Sequence, residues 1–275
     1  MNLPRSALPA ASAFRVARLP GNVPMAYLRA GSGPGLVLIH GSLCDGRYWQ
    51  PQLQPLGEFR TVWAPSLRDY FPLSGSDPAL IDMDWSRDVD DMAAFIESCG
   101  AGSVDVAGHS RGGGIAFHLA LRHPQLVRRL VLAEPGGGLA PVRAAPEPWR
   151  AEAARYLQEG DAESALRVFV DSVSRPGSWR FSPPAFRQMA RDNAATLISQ
   201  LDDPLPAYAP ELAGRIAAPV LLVCGQRSQP RFRETVRALA GWLPDARTVE
   251  IAGASHGMNL ANPAAFNRAL RDFLE

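Results

Sequence analysis

The stretch Gly108-His109-Ser110-Arg111-Gly112 is the most informative part of this chain, because it fits the Gly-x-Ser-x-Gly pattern of a sharp strand-to-helix turn. Residues 103–107 before it alternate and are rich in β-forming side chains, which predicts a strand. Apolar residues after it recur at helical spacing. The flanking glycines remove Cβ atoms that would clash at the crossing, so the turn presents Ser110 as a candidate nucleophile. The motif is common, and a glycine-rich turn that merely contains a serine is the alternative.

A second apolar run, residues 35–39, predicts a parallel strand that is buried on both faces and followed by His40-Gly41-Ser42. A loop at this point can supply a backbone amide to an oxyanion hole, which needs two fixed N–H donors where an ester carbonyl develops negative charge. We predict that the amides of Ser42 and Arg111 are these donors. For His40, hydrogen bonding that orders the loop is preferred to proton exchange.

A serine hydroxyl needs a base to accept its proton, and His256 is the predicted base among the five histidines. It follows the strand-like residues 246–251, in a loop of the kind where doubly wound sheets place their chemistry. His118 and His123 belong to the helix after the serine, where surface or capping roles are expected. His109 is committed by its backbone to the turn.

The chain resembles the α/β-hydrolase superfamily over nearly its whole length. The matching pieces are His40-Gly41, the turn around Ser110, strands at residues 130–133 and 219–225, and Ser255-His256-Gly257 before the last helix. The resemblance implies an α/β fold with a doubly wound, mostly parallel eight-stranded sheet and a helical cap inserted after the sixth strand. We expect a loose tail at residues 1–13, a core at 14–135 and 211–275, and the cap at 136–210.

The acid of the catalytic triad departs from the commonest family pattern. In most members an aspartate follows the seventh strand, yet residues 225–230 contain no carboxylate, and Glu234 falls in the next helix. Some members carry the acid after the sixth strand, where this chain has Glu134. We predict that Glu134 fixes the tautomer of His256. The alternative is that Glu134 is a solvated loop or pocket residue and that a neutral group such as Ser228 orients the histidine.

Helical patterns replace the strand–helix alternation from residues 136–138 to about residue 210, with Asp161 and Ser182 as predicted N-caps. Such helices have no core of their own, so their apolar faces are expected to cover the carboxyl edge of the sheet and enclose a pocket. The candidate pocket residues, for each of which ordinary packing is the alternative, are His40, Leu43, His109, Trp149, Trp179, Phe186, Met189 and Met258.

The combined features predict a carboxylesterase-like serine hydrolase that acts through an acyl-enzyme on a small, largely apolar ester or lactone, without cofactor or metal. The resemblance also covers C–C bond hydrolases, amidases, aminopeptidases, perhydrolases and acyltransferases. Haloalkane dehalogenases and epoxide hydrolases use an aspartate nucleophile, so Ser110 argues against both. An alternative of another class is a small-molecule sensor with little turnover, which the missing carboxylate after the seventh strand supports.

The composition of the chain limits which classes of binding partner are expected. The chain has 275 residues, which suits one large α/β domain, and its net charge of +1 with no basic run argues against nucleic acid. A small-molecule substrate is expected, and a homodimer stays open. Cys44, Cys99 and Cys224 lack metal-ligand spacing and are expected to be reduced thiols. No segment has the roughly 20 apolar residues that span a membrane, and the N-terminal apolar stretch is too short for a signal peptide. We therefore expect a cytoplasmic protein with no membrane partner.

Overall fold

The computed structural model describes residues 9–74, 81–140 and 148–275. Its strands form one sheet in the order β1-β2-β4-β3-β5-β6-β7-β8. These strands are β1 (Arg15–Leu19), β2 (Val23–Ala30), β3 (Gly35–Ile39), β4 (Thr61–Pro65), β5 (Val104–His109), β6 (Val127–Ala133), β7 (Val220–Gly225) and β8 (Ala246–Ile251). Strand β2 pairs antiparallel with both of its neighbours, β1 and β4. The strands β4, β3, β5, β6, β7 and β8, in their order across the sheet, run parallel to one another. The mostly parallel eight-stranded sheet is confirmed.

Helices connect the parallel strands and follow the last one. They are α1 (Gln50–Gly57), α2 (Trp85–Ser98), α3 (Arg111–Arg122), α4 (Pro148–Gln158), α5 (Ala162–Val173), α6 (Ser178–Phe181), α7 (Pro184–Asp192), α8 (Thr196–Asp202), α9 (Pro210–Ala213), α10 (Pro230–Trp242), α11 (Met258–Ala261) and α12 (Pro263–Leu274). Short 3-10 turns occupy Ala11–Ala13, Pro20–Asn22, Gly46–Trp49 and Pro124–Leu126.

The buried strand β3 shows how the sheet separates two cores. All five of its residues are buried, as expected of a parallel strand that is covered on both faces. Because side chains alternate along a strand, Val37 and Ile39 join one apolar cluster with α2, α3 and α10. Leu36 and Leu38 join the other with α1 and α12. The sheet is therefore doubly wound, and its carboxyl edge lies where the loops after β3, β5, β6, β7 and β8 meet.

The helices α4 to α8, which we call the inserted helices, lie between β6 and β7 in the chain. They share an apolar cluster that also takes in Leu43 from the loop after β3. Asp161 caps α5 as predicted, accepting a hydrogen bond from the amide of Ser164 at 3.0 Å. The predicted cap at Ser182 is wrong, because α7 begins at Pro184 and the Ser182 hydroxyl donates instead to the carbonyl of the preceding α6 turn.

Parts of the predicted domain boundaries, residues 1–8 of the tail and 141–147 of the cap, lie outside the described residues. In the described ranges, no helix combines the length and the apolar character needed to cross a membrane. All three cysteines are free thiols.

Candidate active site

Ser110 occupies a strained turn between β5 and α3. Its φ of 51° and ψ of −124° are unusual for any residue other than glycine. The conformation is held from both sides, because its amide donates to the carbonyl of Ala133 at 3.1 Å and its carbonyl accepts from Gly113 and Gly136 at 2.8 and 2.7 Å. Such strain persists only where the surrounding structure fixes it, and it concentrates at functional sites.

The two motif glycines, Gly108 and Gly112, stand where the backbone leaves no space for a Cβ atom. A Cβ on Gly108 would lie 2.2 Å from the carbonyl oxygen of Gly112, and a Cβ on Gly112 would lie 2.3 Å from that of His40. In both cases the obstacle is backbone, which has no flexible end that could move aside. The sequence pattern therefore reflects the close crossing of strand and helix that presents Ser110.

Glu134 and His256 form a buried pair at the carboxyl edge of the sheet. The Glu134 side chain is fully buried, and its Oε2 accepts a hydrogen bond from Nδ1 of His256 at 2.7 Å. Its Oε1 accepts from the amide of Gly225 at 2.7 Å, so both oxygens are bound. A carboxylate can only accept, so Nδ1 carries the proton and Nε2 presents a lone pair. The alternative of a solvated Glu134 does not fit this burial.

The imidazole of His256 lies between two rings. Phe232, on the first turn of α10, stacks on it with centroids 4.1 Å apart and an interplanar angle of 17°. His109 approaches to 4.6 Å, and its Nε2 donates to the backbone carbonyl of His256 at 2.8 Å. Burial, together with the nearby His256, lowers the pKa of His109 well below its usual range, so His109 is neutral. No sequence signal indicated Phe232, which reaches His256 only through the tertiary fold.

The loop that carries the candidate oxyanion amide of Ser42 lies directly against the turn at Ser110. A Cβ on Gly41 would lie 2.9 Å from the Cβ of Ser110. Leu43, which follows Ser42, has a φ of 59° although it is buried, so this loop is also strained. Arg111 is the first residue of α3, and its amide therefore has no acceptor within the helix. The amides of Ser42 and Arg111 remain the predicted donors.

His40 holds the loop after β3 in place through both of its ring nitrogens. Its Nε2 accepts from the amide of Leu67 at 2.9 Å and its Nδ1 donates to the carbonyl of Gly41 at 2.9 Å. Burial lowers the pKa of His40 to about 4, so the ring is neutral. Both nitrogens are used, which fits the preferred loop-ordering role. His40 does not line the cavity described next, so its inclusion among the pocket residues is not supported.

A cavity of about 550 Å³ opens in front of Ser110 and His256. This volume suits a small organic molecule. Of the predicted pocket residues, Leu43, His109 and Phe186 line it. The cavity is also lined by Gly41, Cys44, Tyr48, Phe169, Val170, Val173, Ser174, Arg175, Pro176, Gly177, Ser178, Phe181, Ser182, Pro183, Ser255, Gly257, Leu260 and Ala261. Most of these residues belong to the inserted helices and their connections.

Four other predicted pocket residues do not line the cavity. Trp149 packs edge-on against Phe169, one layer behind the lining. Trp179 is buried, and its indole nitrogen donates to Glu163 at 3.0 Å. Met189 and Met258 are buried within the apolar cluster that covers α1 and α12. The sequence located these side chains in the right segments, but tertiary packing decides which face of each helix meets the cavity.

The side chain of Arg111 is buried and links three parts of the molecule. Its Nη2 lies 2.5 Å from a carboxylate oxygen of Asp203, just after the inserted helices, and 3.4 Å from Asp88 on α2. Burial raises the pKa of Asp88 to about 7, against the opposing effect of the Arg111 charge. The residue whose amide is a candidate oxyanion donor is thus fixed by its own side chain, which the sequence did not suggest.

A second buried charge network joins the loop after β3 to α7. Asp45 is fully buried and receives two hydrogen bonds from the guanidinium of Arg47, at 2.9 and 2.7 Å. Arg47 also pairs with Asp192 at 2.8 Å, and Asn193 donates to Asp45 at 2.7 Å. These contacts fix the inserted helices against the loop that lines one side of the cavity.

Known proteins are similar to this chain over most of its length. Residues 36–269 match the family model of the alpha/beta hydrolase family. The pimeloyl-[acyl-carrier protein] methyl ester esterase of Chromobacterium violaceum is 32% identical over 255 residues, which cover 89% of this chain and 96% of the relative. The 2-hydroxymuconate semialdehyde hydrolase of a Pseudomonas species is 28% identical over 268 residues, which cover 89% and 88%.

Among solved structures, the enol-lactonase from Burkholderia xenovorans LB400 superimposes with a TM-score of 0.79. It is 20% identical, and the match covers 94% of this chain and 99% of the lactonase. At this identity the likeness concerns the fold alone.

Proposed function

The chain belongs to the alpha/beta hydrolase family, and on this premise we propose that it is a serine hydrolase that forms and then hydrolyses an acyl-enzyme. The observation that carries the proposal is the Glu134–His256 hydrogen bond of 2.7 Å beside the strained turn of Ser110. Ser110 and His256 line the same cavity. This arrangement supports a Ser-His-Glu triad with its acid after β6.

In the acylation step, Nε2 of His256 accepts the hydroxyl proton while Oγ of Ser110 attacks the ester carbonyl. The carbonyl oxygen becomes an anion, which the amides of Ser42 and Arg111 stabilise. When the ester C–O bond breaks, the imidazolium gives its proton to the leaving alcohol, and the acyl group remains on Ser110. Glu134 stabilises the imidazolium throughout.

Deacylation repeats the sequence with water. His256 takes a proton from a water molecule, whose oxygen attacks the acyl carbonyl at the same oxyanion site. The proton then returns to Oγ of Ser110 as the acyl–serine bond breaks, and a carboxylic acid is released. The free enzyme is restored without any external redox or group-transfer partner.

A small ester or lactone is the proposed substrate. Apolar side chains of Phe169, Val173 and Phe186 form much of the cavity wall and suit an acyl chain. The inserted helices supply these residues, which supports their role as a cap over the site. The names of two sequence relatives, a methyl ester esterase and a semialdehyde hydrolase, also favour hydrolysis as the reaction class.

The sensor alternative depended on the missing carboxylate after β7. Glu134 supplies a carboxylate to His256 from the end of β6 instead, so that this argument no longer favours a protein without turnover. We therefore keep the hydrolase as the proposed function.

The test is fluorophosphonate labelling together with hydrolysis of short p-nitrophenyl esters. We expect the wild type to label and turn over, and Ser110→Ala and His256→Ala to do neither while remaining folded. Ser98→Ala, an exposed serine on α2 away from the cavity, is the matched control and should label like the wild type. A folded wild-type protein that neither labels nor hydrolyses any ester would overturn the proposal.

A further inference from the structure

The cavity wall carries a single permanently charged side chain among the described residues. This side chain is Arg175, from the segment between α5 and α6. None of the described lining residues is an aspartate or a glutamate. Glu134 lies behind His256 and is fully buried, so its charge does not face a ligand directly. The charge pattern of the wall therefore favours an anionic ligand.

Arg175 differs from two arginines of the inserted helices, Arg191 and Arg155, whose charges are paired with carboxylates. Arg191 pairs with Glu163 at 2.9 Å, and Arg155 pairs with Glu159 at 2.8 Å. In the part of the chain that the structure describes, no carboxylate forms an ion pair with Arg175. Its guanidinium is available to a ligand.

The segment that carries Arg175 is braced on both sides. The carboxylate of Asp171 accepts hydrogen bonds from the amides of Gly177 and Trp179 at 3.0 and 2.8 Å. The side-chain amide of Gln229, before α10, donates to two backbone carbonyls at the end of α5, both at 2.7 Å. The backbone at Arg175 is therefore tied to the same element that places Phe232 on His256.

We propose that Arg175 forms an anion subsite, which binds a carboxylate at the end of the acyl chain remote from the scissile ester. This inference rests on the proposed function and names its substrate class as monoesters of dicarboxylic acids. The apolar wall of Phe169, Val173 and Phe186 holds the methylene chain between the two ends. One guanidinium neutralises one carboxylate through two parallel N–H donors. A phosphate dianion would keep an uncompensated charge there.

The expected effect is moderate because Arg175 is exposed to water. Exposed ion pairs change binding by up to about 5-fold, and salt weakens them further. We therefore expect the wild type to prefer a carboxylate-bearing ester over its neutral counterpart by about 5-fold in kcat/KM at low salt. Raising the salt concentration should reduce this preference.

The experiment compares two substrate series. One consists of the mono-p-nitrophenyl esters of the dicarboxylic acids from adipate to sebacate, and the other replaces the distal carboxylate by the isosteric primary carboxamide. The ratio of kcat/KM between the series is measured for the wild type, Arg175→Gln, Arg175→Lys and Arg180→Gln. Arg180 is the matched control, because it is exposed on α6 and does not line the cavity.

We expect the ratio to peak at one chain length in the wild type, to fall to about 1 in Arg175→Gln, and to be partly kept by Arg175→Lys. Arg180→Gln should keep the wild-type ratio. An equal ratio in the wild type and Arg175→Gln, with the neutral esters hydrolysed normally, would overturn the subsite and leave the hydrolase proposal standing.

A calorimetric titration with free suberate separates the two proposals. If the wild type hydrolyses no ester, the proposed function fails, and suberate binding that Arg175→Gln weakens about 5-fold would still support the subsite. Suberate binding that is absent from the wild type, or unchanged by Arg175→Gln, would then overturn the subsite as well.

Discussion

Replacing Glu134 by glutamine tests the buried pair most directly, because the two side chains have nearly the same shape. In the structure two N–H donors, the amide of Gly225 and Nδ1 of His256, point at the two carboxylate oxygens at 2.7 Å each. A glutamine has one acceptor oxygen and one NH₂ group. One of the two donors therefore loses its acceptor, or the imidazole changes its tautomer.

The expected loss of activity follows from the tautomer. If the NH₂ group faces the imidazole, Nδ1 must accept and Nε2 must carry the proton, so Nε2 no longer accepts the proton of Ser110. The equivalent carboxylate-to-amide change in a serine protease lowers kcat by about 10⁴-fold. We expect kcat to fall by about 10³- to 10⁴-fold here, which corresponds to about 4–5.5 kcal/mol of transition-state stabilisation. If the Gly225 amide is left unpaired instead, stability falls by about 1–3 kcal/mol.

The assay is steady-state hydrolysis of a p-nitrophenyl ester by Glu134→Gln, combined with urea unfolding to confirm that the variant folds. Glu250→Gln is the control, since Glu250 lies half-exposed on β8 and should change kcat by less than about 2-fold. If folded Glu134→Gln keeps more than about a tenth of the wild-type kcat and also keeps the wild-type free energy of unfolding, our reasoning about Glu134 is refuted. A neutral group such as Ser228 would then be the remaining candidate for orienting His256.

Three further changes test other contacts. Phe232→Leu removes the ring stacked on His256 and should lower kcat by about 5-fold, whereas Phe232→Tyr should keep most of the wild-type kcat. Equal kcat values for the two variants would contradict a role of the stacking. Burial raises the pKa of Asp88 from 3.8 to about 7, so the folded state binds an extra proton between these values, and the free energy of unfolding should fall as pH rises through this window. Asp88→Asn should flatten that slope in urea titrations at several pH values, and an unchanged slope would contradict the raised pKa. Gly112→Ala should lower the free energy of unfolding by about 3 kcal/mol, because the new Cβ would meet backbone atoms. Gly138→Ala is the control, since a Cβ there has open space and should change the free energy of unfolding little. Equal losses for the two variants in a urea titration would refute the steric argument.

The fold and the central residues were predictable because local sequence patterns determine them. Glycine spacing around Ser110 marks a close crossing, and continuous apolar runs mark strands that are covered on both faces. Glu134 was predicted from the resemblance, because some members of the family carry the acid after the sixth strand, where this chain has Glu134.

The cavity wall was harder to predict because it depends on how helices are rotated. Met189 lies in a predicted helix and Trp179 lies just before it, but both face away from the cavity into packed clusters. Phe232 and Arg111 act over long sequence separations, since Phe232 stacks on His256 and Arg111 pairs with Asp203. Nothing near these residues in the sequence specifies such partners.

The buried ion pairs that join the inserted helices to the core bear on how this protein can be recombined with its relatives. Arg47 meets Asp192, and Arg111 meets Asp203, while the arginines themselves stay with the core. Exchanging the insertion for that of another hydrolase would remove Asp192 from Arg47 and Asp203 from Arg111, and would leave these buried guanidinium groups with only Asp45 and Asp88, respectively, as carboxylate partners. A chimera therefore needs both carboxylates transferred with the new insertion. Substrate range in this lineage is then expected to diversify by point changes within the insertion rather than by its wholesale replacement.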